Sequence, residues 1–194
     1  MSISTGLRPS QTRVMHKVVV EQQSAIYIDR TGSGKSAVHT LAGKFNEAVL
    51  GNVGKGFVVI VEPTNILCHD VVRQLRDANL GSVIVLAGAL ENDASAPTTF
   101  RDITTEQLNE AKFIVIVPEM FDIAASPEAA DTAVAVFLSE LRLNQLTKLA
   151  LFSLDEFYGS WSWFRPAMLT VLNIESVVSF VRSCCCRRQS PTPQ

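Results

Sequence analysis

The segment AIYIDRTGSGKSAVHTLAGKF, residues 25 to 45, carries the most specific pattern in this chain of 194 residues. It combines a short apolar strand, a glycine-rich turn and a helix, which is the context of a phosphate-binding loop. Gly32 and Gly34 allow the backbone to turn tightly, so that successive N–H groups and the helix start face a phosphate. Lys35 supplies a positive charge, and Ser36 a hydroxyl for Mg²⁺. We therefore expect a nucleotide site in this loop.

The loop departs from the pattern GxxxxGK[ST] at one position, because Asp29 stands where the first glycine is usual. The expected phosphate contacts run without a break from Thr31 to Ser36 and include Ser33. A glycine-rich turn with an incidental lysine is the alternative interpretation. The strand before the loop and the helix after it favour the phosphate loop.

Short β-branched runs alternate with helical patterns from residue 25 onward, which predicts an α/β fold with a parallel sheet flanked by helices. The strands are nearly continuous in apolar residues, as in sheets buried on both faces. The predicted strands are 25–29, 57–62, 82–87, 113–117 and 149–155. The predicted helices are 36–49, 67–78, 106–111 and 129–143, and Pro9 starts another that runs to about residue 23. This order is that of a doubly wound lobe.

Length and composition allow one folded domain with irregular ends. Hydrophobic residues make up 47% and charged residues 19% of the chain, which excludes overall disorder. The net charge of -2 gives no global positive field, so binding of nucleic acid would require a local groove.

The chain start lacks the apolar segment of a signal peptide, and no apolar run approaches the roughly 18 residues that span a bilayer. We therefore expect an intracellular protein, nuclear in a eukaryote, with no membrane partner. Cys68 and the three cysteines at 184 to 186 lack the CxxC spacing of zinc sites. The low-complexity end, residues 183–194, is predicted to be a disordered tail.

An acidic pair, Asp155 and Glu156, follows the last predicted strand. Asp155 is expected to hold Mg²⁺, and Glu156 to orient and deprotonate an attacking water. Such a pair is common at strand ends on protein surfaces. The phosphate loop upstream makes Lys35, Asp155 and Glu156 the candidate catalytic residues.

Five segments occur in an order that resembles the RecQ-like DNA helicases of superfamily 2, the DEAD/DEAH-box type. The segments are LRPSQ (7–11), RTGSGKS (30–36), VVIVEPTNILCHDVVRQLRD (58–77), IVIVPEMF (114–121) and DEFYGSWSWFRP (155–166). The first is similar to the family's FRPxQ motif and the last to its DEAH box followed by an aromatic loop and FRP. The resemblance spans about Leu7 to Met168, most of the chain.

The resemblance implies an N-terminal RecA-like, P-loop NTPase lobe that binds ATP with Mg²⁺ and works on DNA as part of a 3'-5' helicase. Gln11 is expected to read adenine, and Pro63, Thr64 and Asn65 to approach the nucleic-acid backbone. The partner is single-stranded or partly duplex DNA, with RNA not excluded. A second RecA-like lobe with an arginine finger is missing from this chain, so it should hydrolyse ATP weakly or not at all, since such an arginine accelerates phosphoryl transfer by ~10³ to 10⁵.

The expected organisation is an N-terminal helix with the adenine-reading motif (1–24), the RecA-like domain (25–182) and the tail (183–194). Phe157 and Tyr158 replace the Ala and His of DEAH, and the Ser-Ala-Thr motif expected after another strand is absent. Two alternatives therefore stay open. One is a catalytically inactive nucleotide- or nucleic-acid-binding remnant, and the other an unrelated P-loop ATPase that would bind ATP and GTP alike.

Aromatic residues cluster beside the acidic pair. Trp161, Trp163 and Phe164 precede Arg165 in a segment without helical or strand periodicity. Stacking on single-stranded bases is one interpretation, because each such contact is worth ~1 to 3 kcal/mol. Packing in the core or against the second lobe is the other, since tryptophan is highly buried on average.

Overall fold

A computed structural model describes residues 6–21, 23, 25–30, 32–50, 57–88, 100–124, 126–142, 149–154 and 180–186. The strands are β1 (Ala25–Arg30), β2 (Phe57–Val61), β3 (Val83–Leu86), β4 (Phe113–Ile116), β5 (Leu149–Leu154) and β6 (Phe180–Cys186). The helices are α1 (Pro9–Met15), α2 (Ser36–Leu50), α3 (Asn65–Asp77), α4 (Thr105–Glu110), α5 (Glu119–Ala124) and α6 (Ala133–Arg142).

The strands form one parallel sheet of six, in the order β1-β6-β5-β2-β4-β3. The predicted α/β fold is confirmed, and each of the five predicted strands lies within one residue of its expected bounds. Every residue of β2 and β4 is buried, and Phe152 of β5 is fully buried. The sheet is therefore covered on both faces, which is why its strands lack the polar alternation of half-exposed sheets.

The helices fall into two layers. The connections through α2 and α3 cross the sheet from β1 towards β3, whereas those through α4, α5 and α6 return towards β5. Because parallel crossovers are right-handed, the two sets cover opposite faces. Contacts agree with this arrangement, since α1 packs on α2 while α4 and α5 pack on α6.

The first helix differs from its prediction. Regular α-helix ends at Met15, and a π-helical turn, His16–Val20, continues it. The core contains three side chains of this segment, Met15, Val18 and Val19. Their burial holds the α-helix and the π-helical turn against the rest of the domain. Two further differences are local: the sequence pattern does not predict α5, and α6 begins at Ala133 because Pro127–Ala129 forms a 3-10 turn before it.

The sixth strand corrects the prediction for the chain end. Residues 183 to 186, expected in the disordered tail, belong to β6, which pairs with β1 on one side and β5 on the other. Parallel pairing on both sides fixes this backbone in the interior of the sheet. Its sequence, FVRSCCC, lacks the β-branched run of the other strands, so the pattern does not predict a strand there. Residues 187 to 194 lie outside the described part of the chain.

Within the described segments, none of the helices has the length and apolar character needed to cross a membrane.

We predict that Ile60→Ala lowers the free energy of unfolding by ~2 to 5 kcal/mol, because Ile60 is fully buried at the centre of β2 and the truncation leaves a cavity. Ile66→Ala is the matched control, since 65% of the Ile66 surface is exposed. Its effect should stay within about 0.5 kcal/mol. Denaturant titration of both variants measures the difference, and equal losses would contradict the assigned core.

Candidate nucleotide-binding site

The candidate site lies at the carboxyl edge of the parallel sheet. The end of β1 leads into the loop at residues 32–35, and α2 begins directly after it at Ser36. All parallel strands end at this edge, where ligands bind in open α/β sheets. The chain also leaves β5 there at Leu154, with β6 alone between β5 and β1, so the two strands are about 10 Å apart.

Two glycines give the loop its shape. Gly32 has φ 77° and Gly34 has φ 81°, both in the left-handed region that L side chains rarely adopt. An added Cβ at Gly32 would meet nothing within 4 Å, so this glycine is required by its backbone angle alone. At Gly34 the Cβ would also come within 3.0 Å of Gln11 Nε2. The predicted roles of both glycines in turning the loop are consistent with this geometry.

The ammonium of Lys35 connects the two ends of the loop. Its Nζ donates to the backbone carbonyl of Asp29 at 3.0 Å. The first turn of α2 forms at the same place, where the N–H groups of Ala37 and Val38 donate to the carbonyls of Gly34 and Lys35 at 3.0 and 2.9 Å. The start of this 15-residue helix, where N–H groups lack intrahelical partners, therefore lies beside the lysine charge.

Gln11 occupies a position that the sequence pattern does not reveal. Its side chain is 5% exposed, and its Nε2 donates to the carbonyl of Gly34 at 2.8 Å. Its Oε1 accepts from the backbone N–H of Arg8 at 2.7 Å, so Gln11 also fixes the start of α1. The amide retains one N–H and one lone pair, the pair of groups that an adenine edge requires. The adenine contact stays a prediction, whereas the bond to the phosphate loop is observed.

A second connection joins α1 to the loop through the strand. The Tyr27 hydroxyl donates to Asp29 Oδ2 at 3.1 Å and lies 3.2 Å from Ser10 Oγ. Since the phenol has one proton, Ser10 must donate to Tyr27. The motif marks Asp29 only as a replaced glycine and indicates no role for Tyr27 or Ser10. Strand alternation places Tyr27 and Asp29 on one face of β1, and this is the signal in the sequence that could have suggested the pair.

The other loop residues differ in their surroundings. Ser33 is 1% exposed, and the described residues offer its Oγ no hydrogen-bond partner. Ser36 is the first residue of α2 and is half-buried, which suits a metal-binding hydroxyl at a helix start. Thr31 lies outside the described residues.

The expected nucleic-acid contacts at 63–65 follow β2 at the same edge of the sheet. Pro63 is buried, and Thr64 caps α3 by accepting from the N–H of Leu67 at 3.3 Å. The exposed Asn65 accepts from the N–H of Gly88 at 3.1 Å through Oδ1. These residues therefore have local structural roles, and their contact with nucleic acid stays a prediction.

Several predicted site residues lie outside the described part of the chain. The acidic pair Asp155 and Glu156 directly follows Leu154, the last residue of β5. The aromatic and basic residues expected at nucleic acid follow further on: Trp161, Trp163, Phe164 and Arg165.

Cys68 lies near this edge but is not a candidate nucleophile. Burial raises the pKa of its thiol far above the usual range, and the carboxylates of Glu62 and Glu119 raise it further. The side chain is fully buried in α3. Cys68 is therefore a neutral core thiol at physiological pH.

A parallel sheet with a phosphate loop at its carboxyl edge defines a P-loop nucleotide-binding fold. The DEAD/DEAH box helicase family model matches residues 8–179, most of the chain, and the chain belongs to this family. This membership confirms the predicted DEAD/DEAH-box helicase class of superfamily 2 and the RecA-like fold, whereas the RecQ-like subtype stays a prediction.

Solved structures of low sequence identity share the fold. The DUF1998 helicase MrfA matches with a TM-score of 0.63 and 14% identity over 94% of this chain and 27% of that chain. A nuclease-deletion mutant of the Type ISP restriction-modification enzyme LlaGI, in complex with a DNA substrate mimic, matches with a TM-score of 0.52 and 14% identity over 98% of this chain and 18% of that chain. The chain thus spans just over a quarter of the first structure and less than a fifth of the second. No curated protein matches the sequence.

We predict that Gly34→Ala lowers the free energy of unfolding more than Gly32→Ala does. Both substitutions incur the cost of a left-handed alanine, about 1 to 2 kcal/mol, but only the first also presses a Cβ against Gln11 Nε2. Gly6→Ala, with open space around its Cβ, serves as the neutral control. Denaturant unfolding of the three variants tests the ranking. Equal stability of the Gly34 and Gly32 variants would exclude a close packing of Gln11 on the loop.

Proposed function

We propose that this chain is the ATP-binding lobe of a RecQ-like 3'-5' DNA helicase, which binds Mg-ATP and single-stranded DNA at the carboxyl edge of its sheet. The observation that carries the proposal is the loop at residues 32–35, whose two left-handed glycines and lysine lead into the first turn of α2. Membership of the DEAD/DEAH box family supports this assignment of the loop.

The chain's own residues fit a nucleoside triphosphate with Mg²⁺. The backbone of residues 32 to 36 and the N-terminus of α2 would surround the phosphate oxygens, with Thr31 next to them in the sequence, and Lys35 would neutralise their charge. Ser36 and Asp155 would hold the Mg²⁺, which when bound neutralises charge that develops on the transferred phosphoryl group. Gln11 would accept from and donate to adenine, so that ATP binds more tightly than GTP.

Hydrolysis needs groups beyond the loop. Glu156 would orient and deprotonate the attacking water. The arginine that stabilises the transition state in such motors would come from a second RecA-like lobe, as a partner of this one. The lobe alone should therefore bind ATP and DNA more readily than it hydrolyses ATP.

DNA would lie across the same edge of the sheet. Residues Pro63, Thr64 and Asn65 follow β2 at that edge, and N–H groups of the first turn of α3 other than the one that Thr64 caps would contact phosphates. The loop from Trp161 to Arg165 would stack on bases and connect DNA binding to the adjacent acidic pair. The solved LlaGI mutant contains a DNA substrate mimic, which supports DNA over RNA as the partner.

A second candidate function is a nucleotide- and nucleic-acid-binding remnant without catalysis. It is favoured by Phe157 and Tyr158, which replace the Ala and His of DEAH. Hydrolysis stimulated by single-stranded DNA separates the two functions when the second lobe is supplied. The active lobe gives a stimulated rate, and the remnant gives none.

We predict that Trp163→Ala reduces affinity for an oligothymidine by a factor corresponding to ~1 to 3 kcal/mol while the thermal midpoint is unchanged, because a stacked tryptophan is lost from a surface. In the parent protein, the same DNA should quench tryptophan fluorescence. Trp161→Ala is the variant to compare with Trp163→Ala, because Trp161 lies in the part of the loop that departs from the family pattern. A Trp163 variant with a midpoint lowered by many degrees, and no quenching by DNA, would instead place this residue in the core.

A further inference from the structure

Helix α1 is tied to the phosphate loop at both of the loop's ends. At the far end, Gln11 Nε2 donates to Gly34 O at 2.8 Å. At the near end, Ser10 donates to the Tyr27 hydroxyl, which donates to Asp29 Oδ2 at 3.1 Å. The two connections start from adjacent residues of α1.

We propose that Tyr27 is a positioning residue for the phosphate loop, whose hydroxyl fixes Asp29 relative to α1 and thereby sets the position of the Lys35 ammonium. The inference rests on the proposed nucleotide-binding function. It goes further by making phosphate binding depend on how α1 packs against the loop. Tyr27 transmits this dependence without touching the nucleotide itself.

The direction of the hydrogen bonds supports this role. Tyr27 is 6% exposed and its hydroxyl bonds to both Ser10 and Asp29, so removing this hydroxyl would leave these two partners without their contact. Its proton goes to a carboxylate, and a bond to an ionised acceptor is stronger than one between neutral groups. The two hydrogen bonds therefore run in series: Ser10 donates to Tyr27, and Tyr27 donates to the charged carboxylate of Asp29.

Asp29 passes this constraint on through its backbone. Its carbonyl oxygen accepts from Lys35 Nζ at 3.0 Å, so a rotation of Asp29 moves the anchor of the ammonium. Asp29 also stands where P-loops usually have glycine, the residue with the greatest backbone freedom. The bond from Tyr27 thus adds a side-chain restraint, which glycine could not provide, to a backbone position that is also paired with Cys185 of β6.

The test compares Tyr27→Phe with the parent protein by calorimetric titration of Mg-ATP and of Mg-tripolyphosphate, which has no base. Both dissociation constants should rise by the same factor, about two- to tenfold, which is the range for one lost hydrogen bond. Ser10→Ala should act in the same direction. Thr12→Ala is the matched control, because Thr12 lies on the same helix, is exposed, and donates its hydroxyl proton to the Arg8 carbonyl rather than towards the loop.

Conservative replacement separates positioning from general disruption. Asp29→Asn keeps an oxygen that accepts from Tyr27 and should bind tripolyphosphate close to the parent level, whereas Asp29→Ala should bind it as weakly as Tyr27→Phe or more weakly. Unchanged constants for both ligands in Tyr27→Phe and Ser10→Ala would overturn the inference. Weakened ATP with unchanged tripolyphosphate would also overturn it, because the effect would then act through the base.

A nucleotide-free measurement distinguishes failure of this inference from failure of the proposed function. Amide hydrogen exchange at residues 32–35 and at α1 should speed up in Tyr27→Phe and Ser10→Ala but not in Thr12→Ala. If the parent protein bound neither ligand, the proposed function would fail, and the exchange rates would still decide the coupling. Amide exchange rates in Tyr27→Phe and Ser10→Ala equal to those of the parent protein would exclude the coupling between α1 and the loop.

Discussion

The hydrogen bond from Gln11 to the carbonyl of Gly34 joins the chain's first helix to its phosphate loop, and the site's geometry depends on it. The loop can form this bond because Gly34 has a left-handed backbone and no Cβ at the point of closest approach. The loop leads directly into α2, and the Lys35 ammonium donates to the Asp29 carbonyl at the loop's other end. One contact thus links the proposed reading of the base to the binding of the phosphates.

Much of this arrangement follows from the sequence pattern. Runs such as FVVIV and FIVI predict strands to within one residue because parallel strands buried on both faces are nearly continuous in apolar residues. The turn residues Gly32 and Gly34 predict left-handed backbone, which the loop contains. In both cases the residue types of a short segment are sufficient to predict its backbone conformation.

The remaining features depend on contacts between distant residues. Gln11 and Gly34 are 23 positions apart, and nothing in the spacing shows that the buried amide bonds the loop. The strand β6 escapes prediction because FVRSCCC lacks the β-branched run of its neighbours, and its place between β1 and β5 is decided by pairing on both sides. The roles of Asp155 and of the aromatic loop beyond β5 rest on the sequence and the family, since these residues lie outside the described part of the chain.

The central claim is that the loop binds the phosphates of ATP through backbone N–H groups and one lysine. Calorimetric titration of Mg-ATP into the parent protein and into Lys35→Ala tests it most directly. The account predicts measurable binding by the parent protein and a loss of at least about tenfold in affinity for the variant, because phosphate charge is then left uncompensated. Equal affinities of the two proteins would contradict it.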